Sequence, residues 1–417
     1  MSVSRLSELW SHYGPGTRLL QLAVLGILVV GLVTRNAGVV VNAALALAAT
    51  FLPAVLERDY RIELDARFTL WITVAVFLHT LGMLWFYGEV WWYDRLTHTV
   101  SAAVVATVGY VAARAIDEHS VAISLPDRFL FVYVLVFTLG LGVLWEILEF
   151  GTALGASALG LEPVLTQYGP ADTLGDLLFD TIGALIAATV TTERVSSAVE
   201  SLRRRLDRHD GDDDSPLRSI AHERPGVVTL DAVVRHERTN ARRSWAVVGF
   251  LSLVAVGGAL SGSILLATLV AAVVALALVP AVAYGDRRAT LPWELLALPA
   301  LPVFGDVFVQ PWLSSTPLIY AAVAAVALVV AVELHLFTTV RMTPTFAVLF
   351  VVATTMAVAG IWAVGRWLVD LALGTHLLLD PSLTGDEIET RLMWEFVYAA
   401  VAGLFAGVLF EWRFRRG

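Results

Sequence analysis

No cysteine occurs among the 417 residues. Disulfides, thiolate zinc sites and cysteine nucleophiles are therefore excluded. Any bound metal must be held by histidine and carboxylate. Lysine is absent too: all 28 basic residues are arginine, against 37 acidic ones, for a formal charge of −9. That bias fits a halophilic or otherwise skewed proteome and speaks to solubility and habitat rather than mechanism. Charge of either sign is scarce, at 16% of residues. No Walker loop, HExxH or serine nucleophile motif is found, so the sequence names no reaction.

Apolar residues fill the space that charge leaves. They make up 58% of the chain, and the mean hydropathy is +0.74. This is too apolar for a soluble globular protein and matches the class built from repeated long apolar runs. The opening MSVSRLSELWSHYGPGTR lacks the charged-then-apolar-then-small order of a cleaved signal peptide. The first run is thus expected to stay as a transmembrane helix. Runs near 18–35, 37–56, 68–87, 96–115, 129–149 and 173–191 have the roughly 17–25 residues a span needs. Six more follow near 245–262, 263–284, 289–304, 317–337, 345–373 and 389–410. The run at 289–304 is short and broken by proline. The expected fold is all-α: a polytopic bundle of about twelve spans in two six-helix halves. The first half is 1–192, a polar linker covers 193–243, and the second half is 244–417.

Arginine counting orients these spans. Arg58, Arg61 and Arg67 share one loop, and Arg114 and Arg128 flank another. Others crowd the linker, and Arg287, Arg288, Arg341, Arg413, Arg415 and Arg416 mark later segments. In a six-plus-six arrangement all lie on one side, which is the positive-inside pattern. It predicts a multi-pass protein of the cell membrane with both termini and the linker in the cytoplasm. Equal halves of like orientation suggest an internal parallel repeat. The four-residue spacing of Asp172, Asp176 and Asp180 recurs in Glu387, Arg391 and Glu395. Chance between two apolar sequences is the competing explanation.

Ionisable residues gather in the first half. Asp172, Asp176 and Asp180 recur every four residues and share a helix face. Asp180 lies roughly 12 Å beyond Asp172 along that helix. A carboxylate at such depth costs about 2.5–3.5 kcal/mol on insertion scales, so it should face protein or a wet cavity. In YDRLTH, Asp94 and His98 are i, i+4; in LWEILEF, Glu146 and Glu149 are i, i+3. With the topology above, all sit toward the outer side. His79 is placed to join from deeper, and Glu89 from the adjoining loop. Carboxylates with one or two histidines make a site for a divalent metal such as Mg, Mn, Ca, Fe or Zn. They also suit proton carriage or acid–base chemistry. The plainer alternatives are an N-cap at Asp172, solvated side chains at Asp94 and Glu149, and helix-bridging hydrogen bonds at His98 and Asp180.

The motifs YGEVWWYDRLTH, LWEILEF and LTQYGPADTLGDLLFDTIGA, in that order, resemble the YjdF-like family of inner-membrane proteins over about residues 65–192. The resemblance implies shared polar positions at Glu89, Asp94, His98, Glu146, Glu149, Asp172 and Asp176. It implies a site and no reaction. The chain departs from the family pattern at Phe150, where tryptophan is usual, and in the loosened TQYGPAD turn.

The leading expectation is an outward-facing carboxylate–histidine site that binds a divalent metal and acts on a lipid or envelope substrate. Asp176, Asp180, Glu146 and His98 would hold the metal, with His98, Glu146 and Asp180 as acid–base groups. Asp94, Glu149, Asp172, Glu89 and His79 would orient them from outside. The alternatives are a cation- or proton-coupled transporter and a structural or assembly protein. The lipid bilayer is the expected partner, with a small molecule, ion or lipid as substrate. Nucleic acid is not expected, because topology accounts for the arginines.

Overall fold

The structure, a computed structural model, describes residues 13–60, 62, 64–120, 122–161, 163–165, 167–190, 196–209, 237–260, 264–288, 290–297 and 316–415. Most of the 193–243 linker and the end of the 289–304 run lie outside the described residues. The fold is all-α, with one isolated β-bridge between Ser124 and Arg341 among those residues.

In chain order the helices are α1 (Pro15–Thr34), α2 (Ala37–Thr50), α3 (Leu52–Tyr60), α4 (Ala66–Leu81), α5 (Tyr93–His119), α6 (Asp127–Leu159) and α7 (Pro170–Val190). There follow α8 (Ser196–His209), α9 (Glu237–Leu260), α10 (Ile264–Tyr284), the short α11 (Trp293–Ala297), α12 (Thr316–Phe337), α13 (Pro344–Leu373) and α14 (Gly385–Arg415). Eight stretches among the described residues are long and apolar enough to cross a membrane. They are the helical stretches that begin at Pro15, Ala37, Ala66, Tyr93, Asp127, Ala241, Pro344 and Gly385. In α10 and α12 the apolar part is shorter, Val270–Tyr284 and Ile319–His335. The six expected early runs all fall on helices; among the described residues eight spans, not about twelve, are shown. α7 is not among the eight, and it is the helix that carries three aspartates.

Local chemistry explains the boundaries. Asn36 caps α2 by accepting the Val39 N–H at 3.0 Å. Pro15 and Pro170 open their helices at positions where no N–H is needed. Gly160, with φ +66°, ends α6: the Leu161 N–H reaches the Ala156 carbonyl at 2.9 Å. α6 thus runs ten residues past Glu149, through GTALGASAL, where an end at 149 was expected. The Asp370 carboxylate ties down the turn after α13. It accepts Thr375 Oγ1 at 2.6 Å and the N–H groups of Leu377, Leu378 and Leu379 at 2.7, 2.8 and 2.9 Å.

The chain forms two compact units: Met1–His119, Leu130–Asp213 and Gly360–Met393 make one, and Ser120–Phe129, Asp214–Ala359 and Trp394–Gly417 the other. In the first, α5 and α7 pack closely on small residues. Ala103, Ala106, Ala184 and Ala187 form a buried cluster with Val134, as expected where helices approach through apolar contacts alone. Gly183 sets the distance, because a Cβ there would lie 2.3 Å from the Thr99 carbonyl oxygen. In the second unit, α9 and α10 pack through Leu251, Val270 and Val273. There the Tyr320 hydroxyl donates to Glu395 at 2.9 Å, and the Met342 N–H donates to His335 Nδ1 at 2.9 Å.

Gly183→Ala should therefore destabilise the first unit by about 1–3 kcal/mol, the usual cost of overpacking. Thermal unfolding of the purified protein checks this against Gly249→Ala, whose added methyl meets nothing within 4 Å and should leave the midpoint unchanged or raised.

Candidate metal centre

The close α5–α7 packing brings the polar ends of those helices against the middle of α6. His98 stands at the centre. Its Nδ1 lies 3.1 Å from Asp180 Oδ1. Its Nε2 lies 3.8 Å from Asp94 Oδ1, one turn back on α5, and 3.7 Å from Asp176 Oδ2 on α7. The two nitrogens thus face different acids. Asp94, His98 and Asp176 bring one donor atom each to within 4.8 Å of one another. Asp176 and Asp180 are buried, at 6% and 7% exposure. Asp180 can sit there because residue 142 is glycine: a Cβ on Gly142 would lie 2.5 Å from Asp180 Oδ2.

A cavity of about 30 Å³ lies on the Nε2 side, lined by His79, Tyr87, Asp94, His98, Glu149, Asp172 and Asp176 among others. It has room for an ion or a water, not for an organic molecule. Trp145 Nε1 holds Glu149 at its edge with a 2.8 Å hydrogen bond. Tyr168 also lines it, from the loop before α7. Partial burial, together with Asp172, Asp94 and Glu149, raises the Tyr168 phenol above its usual pKa. Four carboxyl side chains, Asp94, Glu149, Asp172 and Asp176, line the cavity, an arrangement that suits a cation.

His79 belongs to a second layer. Its Nδ1 is 3.0 Å from the Tyr87 hydroxyl and its Nε2 3.3 Å from Asn42 Oδ1. Asn42 in turn donates to the Gly38 and Val164 carbonyls, each at 2.9 Å. A π-helical turn, Gly82–Phe86, extends α4 and brings Tyr87 back over His79; such turns are frequent at functional sites. Glu89 is exposed and does not line the cavity.

Glu146 stands apart from the His98 group. It is 2% exposed, and its Oε2 lies 2.9 Å from Thr173 Oγ1. The same hydroxyl lies 3.0 Å from Glu389 Oε1 on α14. Gln167 meets this group too, with Nε2 3.5 Å from the Glu146 carbonyl and 3.3 Å from Met393 Sδ. Asp172 is not the cap of α7. Pro170 opens that helix and the Gly169 carbonyl accepts the Asp172 and Thr173 N–H groups at 3.0 and 3.3 Å. This leaves Asp172 in the first turn, beside the cavity.

The segment that carries all of this except Glu389 and Met393 matches a family model. Residues 16–196 match a family described as predicted membrane protein (DUF2238). Residues 228–290 match a domain of unknown function, DUF8268. No curated protein and no solved structure matches the chain. Within the DUF2238 segment lie Asp94, His98, Glu146, Asp176 and Asp180, so its cluster is built without the rest of the chain. Glu389 is contributed from outside it.

Sequence reasoning missed Thr173, Tyr87, Asn42 and Glu389. A signal existed for Glu389. Ile388, Leu392, Met393 and Phe396 form the buried face of α14, and Glu389 falls on it, whereas Glu387 and Arg391 are exposed.

Thr173→Val removes the one hydroxyl that lies between the two buried glutamates. That hydroxyl has a single proton to donate, so its loss should cost about 1–3 kcal/mol for one unmatched polar partner, read as a lowered unfolding midpoint that Thr173→Ser restores.

Proposed function

We propose that the group around His98 is a divalent-metal centre, and that the protein uses it to act on a lipid or envelope substrate from the outer side of the membrane. The observation that carries this reading is the convergence of Asp94, His98 Nε2 and Asp176 on one small polar cavity. The donor set of one imidazole and two carboxylates suits a borderline or hard divalent ion such as Zn, Mn or Fe. Bonds of about 2.1 Å place neighbouring donors roughly 3.0–3.4 Å apart. Two donors here lie 3.7 and 3.8 Å from Nε2 and all three lie within 4.8 Å of one another, so the set draws inward on binding an ion.

In this reading Asp94, His98 and Asp176 are the ligands, with Glu149 and Asp172 at hand on the cavity wall. Asp180 orients the ring through Nδ1 and fixes its tautomer, the usual second partner of a ligating histidine. Glu146 holds its place through Thr173 and supports α7 from behind. The ion would supply Lewis acidity toward a substrate oxygen or lower the pKa of a bound water. The chain's own part is to hold Nε2 and two carboxylates at one point, keep the ring from rotating, and limit the water that reaches it.

The membrane setting follows from the DUF2238 match and the eight apolar helices. The finer topology belongs to the proposal: about twelve spans, termini and linker in the cytoplasm, and two halves descended from one repeat. The arginine distribution supports it. The three motifs of the YjdF-like resemblance all fall inside residues 16–196, which supports extending that name to the segment. A cation- or proton-coupled transporter is the second reading. The observation that favours it is the pair of buried carboxylates, Glu146 and Glu389, joined by a single hydroxyl: intramembrane acids of this kind mark ion pathways.

Metal content by mass spectrometry, on protein purified without chelator, tests the proposal. Near-stoichiometric metal is expected in the wild type and none in His98→Ala or Asp176→Asn. Asp180→Asn should weaken retention by about 10–100-fold, as loss of an orienting partner does. Metal-free wild type, or full occupancy in His98→Ala, would sink the metal centre and leave the transporter to be tested by ion flux in vesicles.

A further inference from the structure

The small polar cavity touches His98, and so does a much larger one. The second cavity measures about 620 Å³ and is walled by apolar side chains of α2, α4, α5 and α6, among them Ala46, Val76, Val105 and Leu144. Its size falls within the roughly 300–1,000 Å³ of small-molecule sites. Leu45 and Leu148 line it and are also 65% and 50% exposed. The cavity therefore opens sideways, onto the apolar outer surface of the helices, where lipid lies.

Its polar end is narrow and specific. The Thr97 and Thr138 hydroxyls in the wall donate to the carbonyls one turn back, those of Tyr93 and Val134. Asn42 and His79 are engaged as described above. Two polar atoms on the wall make no hydrogen bond among the described residues: Asp180 Oδ2, the oxygen that faces Gly142, and Ser101 Oγ, one turn beyond His98. A carboxylate oxygen and a hydroxyl at the end of an apolar tunnel call for a hydrogen-bond donor on an apolar body. Asp94 and Asp176 meet the same His98 ring as Asp180, so an anionic head group would meet repulsion there.

We propose that this cavity takes one hydrocarbon chain of a membrane amphiphile, entering from the bilayer between α2 and α6, with a hydrogen-bond-donating head, an alcohol or amine, at Asp180 Oδ2. This deepens the lipid reading of the same site and rests on it for function, though binding of the chain does not require the metal. His98 then lines both cavities, as do His79 and Trp145, which sets the head group one ring away from the ion.

The test is photo-crosslinking of the full chain in phosphatidylcholine vesicles with a long-chain alcohol that carries a mid-chain diazirine. Adducts are mapped by peptide mass spectrometry. Labelling of segments 97–105 and 138–148 should saturate and be displaced by the unlabelled alcohol. An amine-headed probe should label similarly. The carboxylic-acid analogue should label at least about tenfold less, the factor that 1.4 kcal/mol of head-group discrimination gives. Filling the cavity with Ala46→Phe and Val105→Phe should suppress these adducts by a similar factor. Adducts on the outer face of α1, at Leu19 and Val33, and the metal content should be unchanged. Labelling that never saturates, that is no denser than on α1, or that ignores the head group overturns the proposal. Should the filled variants fail to fold, saturation and displacement in the wild type decide it. Saturable labelling in metal-free protein would retain the chain site and sink the metal reading; metal with only diffuse labelling would do the reverse.

Discussion

The first unit depends on one constraint: a cluster of carboxylates has to be held within helices that are otherwise apolar. Each acid at membrane depth costs about 2.5–3.5 kcal/mol unless it is partnered. The chain meets this cost with one imidazole and one hydroxyl. His98 offers Nδ1 to Asp180 and Nε2 to Asp94 and Asp176. Thr173 serves Glu146 and Glu389. These contacts need α5 and α7 nearly touching, hence alanines and Gly183 along their seam, and they need Gly142 to leave Asp180 room. Small residues and acids are therefore two parts of one arrangement.

The same constraint bears on the choice between a working site and mere helix bracing. Bracing favours groups that satisfy one another fully. The Asp370 turn is built that way, with four donors on one carboxylate. The His98 group is not. Its Nε2 faces two carboxylates at distances too long for good hydrogen bonds, with a small cavity between them. Negative charge gathered around a void beside a neutral or singly charged ring invites a cation. That contrast, inside a single unit, is why a metal centre accounts for the geometry better than a purely structural role.

Much of this was legible in the sequence. Helical spacing alone put Asp94 with His98 and Asp176 with Asp180, and depth alone marked Asp180 as needing a partner. What could not be read was which nitrogen of His98 each acid would meet, since that depends on the rotation of α5 against α7. It separates Asp94 and Asp176, on the cavity side, from Asp180, behind the ring. The apolar run of α6 reaches an acid at Glu149, but the helix continues until Gly160 stops it. Asp172 has the side chain of a cap, but Pro170 and the Gly169 carbonyl set the start of α7 two residues earlier. Glu389 was overlooked because charges in α14 were aligned by spacing with those of α7. The buried apolar positions of α14 itself, which fix which face points inward, were the better guide.

Glu389 changes how the chain should be divided in thought. The DUF2238 match ends at residue 196, yet the carboxylate that shares Thr173 comes from α14, and Gly360–Met393 belongs to the same compact unit as α5, α6 and α7. A protein made of the matched segment alone would bury Glu146 against Thr173 with nothing on the hydroxyl's other side. Here a second acid is placed there, at 8% exposure, with Oε2 left unpartnered among the described residues. Burying a further acid costs stability rather than adding to it. The later part of the chain thus brings an ionisable group to Thr173 on α7, the hydroxyl that also meets Glu146.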